Sequence, residues 1–137
     1  MRQMKTNLKQ SVLFAVLLGA VLVTAGTATA HHGFADYDMT RQLTVKGKVR
    51  TFQWTNPHTW LWIDVSTDKG TVIYAFEGMS PNYLGRRGWS RHSLQPGDPI
   101  TVTYFPFKDA AKKGGTLAKA VKPNGEVLNN FVPAGAK

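Results

Sequence analysis

The alternation of apolar and polar residues predicts a chain built mostly of β-strands. From Arg41 to Trp54 apolar side chains occupy every second position, which is typical of a strand with one buried face. This alternation slips by one residue between Val49 and Phe52. Because an inserted residue shifts every following side chain to the other face, we expect a bulge or a sharp bend there.

The same reasoning predicts a second and a third strand at residues 59–67 and 71–77, joined by a turn at Asp68-Lys69-Gly70. A short helix is expected to begin at Ser80-Pro81, because serine is a good N-cap and proline suits the first helical position. Further strands are predicted at 100–107, 117–121 and 127–131.

This order predicts an all-β fold, a small OB-like barrel of five to six strands with one short helix between the third and fourth strands. The alternative is a small β-sandwich. We expect three regions: a signal peptide at 1–30, an N-terminal arm at 31–40 and the barrel domain at 41–137.

The first thirty residues have the features of a secretory signal. A basic start precedes an apolar stretch at 12–23, and Ala28-Thr29-Ala30 supplies the small side chains that signal peptidase requires. Cleavage there makes His31 the mature N-terminus and predicts a periplasmic or secreted protein. The apolar stretch is shorter than the ~20 residues that cross a bilayer, so no membrane span is expected after cleavage.

A mature N-terminal histidine could chelate a metal ion. Its α-amine and imidazole can bind together, and His32 places a second imidazole beside them. A further imidazole could come from His58 or His92. The chain contains no cysteine, and nitrogen donors in tetragonal geometry suit copper(II). The alternative is a polar tip whose histidines contact only water.

Two other groups of residues are candidates for ligand contact. Trp60 and Trp62 share one face of the second strand, with Tyr74 and Phe76 as expected partners on the third, and could either stack a ligand or be buried under the helix or the arm. Arginines near Trp89 could grip an anion or simply solvate the end of the helix. These arginines are Arg86, Arg87 and Arg91.

The net charge of the chain and the lack of catalytic motifs limit the functions that the sequence supports. The chain has 17 basic and 8 acidic residues, which favours an anionic small molecule, an envelope component or a protein partner. Export makes nucleic acid an unlikely partner. Glu77 stands alone as a candidate metal ligand or acid/base group, and no catalytic motif is recognised. We therefore expect a binding protein and not an enzyme; a copper oxygenase is disfavoured because no substrate platform can be recognised.

Several motifs resemble a family of small exported bacterial proteins of unknown function. These are His31-His32-Gly33-Phe34, Gly47-Lys48-Val49, Trp54-Thr55-Asn56-Pro57-His58, Gly88-Trp89 and Leu94-Gln95-Pro96-Gly97-Asp98. The resemblance implies export and a small β-barrel. The family has no established activity, so the resemblance implies none for this chain. A looser likeness to periplasmic OB-fold copper carriers implies copper, although this chain lacks their closely spaced methionine pair and has only Met39 and Met79 after the signal.

The expected function is therefore periplasmic binding of copper or another divalent transition metal through the mature N-terminal histidine. The alternative is an interaction module without a metal, which would bind an anionic small molecule, an envelope component or a protein through an aromatic and basic face.

Overall fold

A five-stranded sheet closes on itself in the computed structural model, which describes residues 33–131. The ring order is β3–β2–β1–β4–β5, and a parallel pairing of β5 with β3 closes it. A sixth strand, β6, lies outside the ring and pairs with β5. The elements are β1 (Leu43–Gln53), β2 (Trp60–Thr67), β3 (Gly70–Glu77), α1 (Pro81–Gly85), β4 (Pro99–Pro106), β5 (Gly114–Val121) and β6 (Val127–Asn129).

This arrangement confirms the predicted OB-like barrel with one short helix between the third and fourth strands. The closed ring excludes the two-sheet sandwich. Within the described residues, no helix combines the length and the apolar character needed to cross a bilayer.

The long first strand, β1, pairs with two neighbouring strands, as the shift in its apolar alternation predicts. Its first half pairs with β4 and its second half with β2, and the register shifts between Val49 and Thr51. Gly47 lies where the barrel bends tightly, since a Cβ atom at this position would sit 2.5 Å from the carbonyl oxygen of Asp64. The predicted bulge is therefore present and lets one strand cover two sides of a small barrel.

The barrel interior is filled by the predicted inward face of β2 and by residues from the connection after β3. Leu61 and Ile63 are fully buried, and Leu84 of α1 is buried with them. Trp89 follows α1 and is also buried, with its indole Nε1 donating to the carbonyl oxygen of Asn129 at 2.9 Å. The helix and the loop after it therefore complete the core of the barrel.

The described part of the arm, residues 33–40, lies against the barrel. It contains a 3-10 turn at Phe34–Asp36, and Tyr37 forms an isolated β-bridge with Phe107. The Asp38 amide donates to the carbonyl oxygen of Pro106 at 2.8 Å, and the Lys108 amide donates to that of Asp36 at 2.9 Å. These bonds attach the arm beside the connection between β4 and β5.

Candidate functional site: the His58–Glu77–Tyr37 cluster

His58 precedes β2 and has one of its ring nitrogens held by two acceptors. Nδ1 lies 3.1 Å from the carbonyl oxygen of Gly78 and 3.1 Å from Oε1 of Glu77. Neither acceptor can donate, so we assign the hydrogen of the neutral ring to Nδ1. The lone pair is then on Nε2, which has no hydrogen-bond partner among residues 33–131. The side chain is 34% exposed.

Backbone bonds between the start of β2 and the end of β3 fix the position of His58. The Gly78 amide donates to the carbonyl oxygen of Thr59 at 2.8 Å, and Thr59 donates to the carbonyl oxygen of Met79 through its amide and its hydroxyl. Gly78 must lack a side chain, because a Cβ atom there would lie 2.2 Å from the Thr59 hydroxyl. On the other side of Gly78, Oδ1 of Asn130 accepts a hydrogen bond from the Met79 amide at 2.8 Å.

The Glu77 carboxylate connects His58 to the arm. Its Oε1 faces His58, and its Oε2 accepts a hydrogen bond from the Tyr37 hydroxyl. Tyr37 is 6% exposed, and its ring lies 5.1 Å from that of Phe107 between centroids. Burial, followed by the hydrogen bond and the charge of Glu77, raises the pKa of Tyr37 far above its ordinary value. Tyr37 is therefore a neutral donor at physiological pH.

The sequence alone singles out His58 and Glu77 but does not connect them with Tyr37. Tyr37 lies 40 residues before Glu77, in a segment expected to be a polar and irregular arm. An aromatic residue between Asp36 and Asp38 is the only local signal for a docking point, and it does not identify the partner.

The described residues do not by themselves form a metal-binding set. Among residues 33–131 no group of three or more histidine, aspartate or glutamate side chains is close enough to hold a metal ion. His31 and His32 lie outside the described residues. A metal bound at His58 would therefore need donors from beyond this part of the chain.

His92 and the three arginines belong to the connection between α1 and β4. His92 is exposed in a turn in which its amide donates to the hydroxyl of Ser90 at 3.1 Å. The Arg87 guanidinium lies over the ring of Tyr83, 4.4 Å from its centroid, while Arg86 and Arg91 are exposed. Within the described part of the chain, no carboxylate pairs with these arginines and no contact joins them to His58.

Trp60 and Trp62 lie on the outer face of β2, as their alternation predicts. Both are half-buried, with ring centroids 5.8 Å apart and planes 24° from parallel. The register pairs Trp60 with Glu77 and Trp62 with Ala75. The tryptophan pair is therefore next to the His58–Glu77–Tyr37 cluster.

The prediction that Tyr74 and Phe76 lie beside these tryptophans is wrong. Phe76 is fully buried, and Tyr74 packs against the core from the same side of β3. The hairpin register places odd-numbered residues of β3 opposite Trp60 and Trp62, so Tyr74 and Phe76 face the interior.

Comparison with known proteins gives a family without a function. The chain matches the family described as "Family of unknown function (DUF6152)" over residues 19–117, which include the cluster and the tryptophan pair. Comparison with curated proteins found no matching sequence. Because the match covers well over half of the chain, this protein belongs to that family of unknown function, in agreement with the family resemblance of its sequence.

Proposed function

We propose that this protein is an exported periplasmic protein that binds a divalent transition metal, with copper(II) as the best-fitting ion. The ligands are the α-amine and imidazole of His31, and His32 and His58 are the candidates for further imidazole ligands. The proposal includes removal of residues 1–30, because only cleavage before His31 creates the terminal amine.

The observation that carries this proposal is the orientation of His58. Metal-binding histidines almost always donate their other ring N–H to a carboxylate or a backbone carbonyl, which fixes the tautomer and the direction of the lone pair. His58 has both kinds of acceptor around Nδ1, at 3.1 Å each. The arrangement leaves Nε2 as the ring nitrogen that could bind a metal ion.

The Glu77 carboxylate that faces His58 also contacts the described part of the arm, through Tyr37. Glu77 is thus the common partner of the candidate ligand and of the segment that follows the proposed mature N-terminus. His92 has no such connection in the described part of the chain, which favours His58 as the further imidazole.

The donor set favours copper(II) over harder ions. An amine and two or three imidazoles are nitrogen donors, whereas Mg²⁺ and Ca²⁺ prefer oxygen. The absence of cysteine removes thiolate ligands from consideration. Binding should weaken in acid, because protons compete with the metal for the imidazole lone pairs.

The metal-free alternative requires one face that carries both the tryptophans and the arginines. The contacts of the described residues give it less support. The tryptophans lie on β2, whereas the arginines follow α1, and no described contact joins the two groups. Glu77 and Asp64 lie beside the tryptophans. These acidic residues offset the basic residues of β1, so this face is not the basic surface that the alternative requires.

A comparison of two single-histidine variants tests the proposed site. Protein purified from the periplasm would first be weighed intact to establish that it starts at His31, and copper(II) would then be titrated against a competing chelator. We expect His58→Ala to weaken binding by roughly tenfold or more, and His92→Ala to leave it unchanged. Thermal unfolding of both variants shows whether the fold is intact. Equal affinities for wild type and folded His58→Ala would contradict the assignment of His58.

A further inference from the structure

The outer face of β2 carries two large aromatic rings that the barrel core does not use. Leu61 and Ile63 point inward and are fully buried, whereas Trp60 and Trp62 point outward and are half-buried. Their rings stack on each other, and the pair forms a strip of apolar surface on the solvent side of the barrel. Aromatic rings on the outer face of an OB-type barrel can serve as a stacking surface for a ligand.

Polar side chains border this strip on both sides. On β1, Gln53 pairs with Trp60 and Thr51 pairs with Trp62, and both are exposed. On β3, Glu77 pairs with Trp60. The strip thus has an amide, a hydroxyl and a carboxylate within the same short stretch of sheet.

The charges around the strip balance one another. Arg50 and Asp64 form an ion pair at 2.7 Å at one end of the strip, and Lys48 lies opposite Asp64 in the register. With Glu77 at the other end, two basic and two acidic residues surround the rings. The charges of these four residues cancel, so together they give no net attraction for an anion.

We propose that Trp60 and Trp62 form a binding site for a neutral saccharide. The C–H faces of a sugar ring pack well on an indole face, and its hydroxyl groups both donate and accept hydrogen bonds. The hydroxyl of Thr51 and the amide oxygen of Gln53 supply a donor and acceptors beside the rings. The Gln53 amide nitrogen already donates to Thr55, and both Glu77 oxygens are engaged by His58 and Tyr37. The outward surface of the stacked indoles provides the apolar contact for a sugar unit.

This inference does not depend on the proposed metal site. It rests on the outer residues of β1, β2 and β3, and it is tested on protein treated with a chelator. Loss of copper binding in a His58 variant would leave it unaffected, and absence of saccharide binding would leave the metal proposal unaffected.

The test uses three neutral hexasaccharides: β-1,4-linked glucose, α-1,4-linked glucose and β-1,4-linked N-acetylglucosamine. Binding to the chelated, mature protein would be followed by tryptophan fluorescence and calorimetry. We expect saturable binding of at least one of them, weakened by roughly tenfold or more in Trp62→Ala because a stacking surface is removed. Ile73→Ala is the matched control, since Ile73 is an exposed apolar residue on the neighbouring strand, and it should bind like wild type.

A second variant protects the test against misfolding. Gln53→Ala changes only an exposed side chain at the edge of the strip and should also weaken binding. Binding of none of the three hexasaccharides would overturn the proposal. So would wild-type affinity in both folded Trp62→Ala and Gln53→Ala.

Discussion

At the scale of single residues, Glu77 has the most connections in the candidate site. One carboxylate oxygen faces His58 and the other accepts from Tyr37, so the same side chain orients a candidate metal ligand and fastens the arm. Sequence patterns identify such a residue only as an isolated acid, because its partners lie 19 and 40 positions away in the chain. Their proximity is produced by the fold and not by any local motif.

Because Tyr37 donates a hydrogen bond to Glu77, the free energy of unfolding should decrease as the pH rises above 10. The pKa of Tyr37 is raised in the folded protein from an ordinary value of 10.0, first by burial and then by Glu77. Above pH 10 the unfolded chain releases the phenolic proton while the folded chain retains it. The stabilising contribution of Tyr37 is therefore complete below pH 10 and is lost progressively as the pH rises above it.

We expect Tyr37→Phe to lower the free energy of unfolding by about 1.5–3 kcal/mol at pH 7, as is usual for a hydrogen bond to a charged group. The difference between wild type and variant should shrink above pH 10. Urea unfolding of both proteins at pH 7, 9 and 11 measures it. A difference that stays constant from pH 7 to 11 would contradict the proposed origin.

At the scale of elements, successive side chains of β2 point alternately to the core and to the candidate ligand surface. The inward positions were predictable from the sequence, because Leu61, Ile63 and Val65 recur with the period of a strand. The role of β3 was less predictable. Its apolar residues are present on both faces, and only the observed register shows that Tyr74 and Phe76 turn inward.

Substitutions on the two faces of β2 should have different effects on stability. Leu61→Ala should cost about 2–5 kcal/mol, because it removes a fully buried side chain and leaves a cavity. Trp62→Ala should cost about 1 kcal/mol, because its ring is on the outer face and keeps contact with solvent. Chemical denaturation of both variants makes the comparison. Equal losses would show that Trp62 is part of the core and would argue against a ligand surface.

At the scale of the whole molecule, the barrel closes where β5 meets β3 in parallel. Strand order along the chain predicts a barrel, but it does not identify which backbone atoms approach most closely. Gly114 and Gly115 are the residues at this contact: a Cβ atom on Gly114 would lie 1.9 Å from the carbonyl oxygen of Ala75. On Gly115 it would lie 1.9 Å from that of Phe105. Such a requirement reflects the spacing of strands far apart in sequence, so it has no sequence pattern of its own.

A pair of glycine variants tests this account of closure. Gly114 and Gly125 both have positive φ angles, of 111° and 86°, so alanine is strained at either position. Nothing lies within 4 Å of a Cβ atom at Gly125. Gly125→Ala should therefore cost about 1 kcal/mol, whereas Gly114→Ala should cost several times more, because it also forces β5 away from β3. Similar melting temperatures for the two variants would contradict a tight closure at Gly114.

The central proposal is that the mature N-terminus binds copper(II) through its amine and imidazole, and electron paramagnetic resonance tests it most directly. Spectra would be recorded for copper(II) bound to the mature protein starting at His31 and to the same protein with its α-amine acetylated. The account predicts nitrogen hyperfine structure from several nitrogen ligands in the first protein, and an altered spectrum with much weaker binding in the second, because acetylation removes the amine as a metal ligand. Identical spectra and affinities for the two proteins would contradict the proposal.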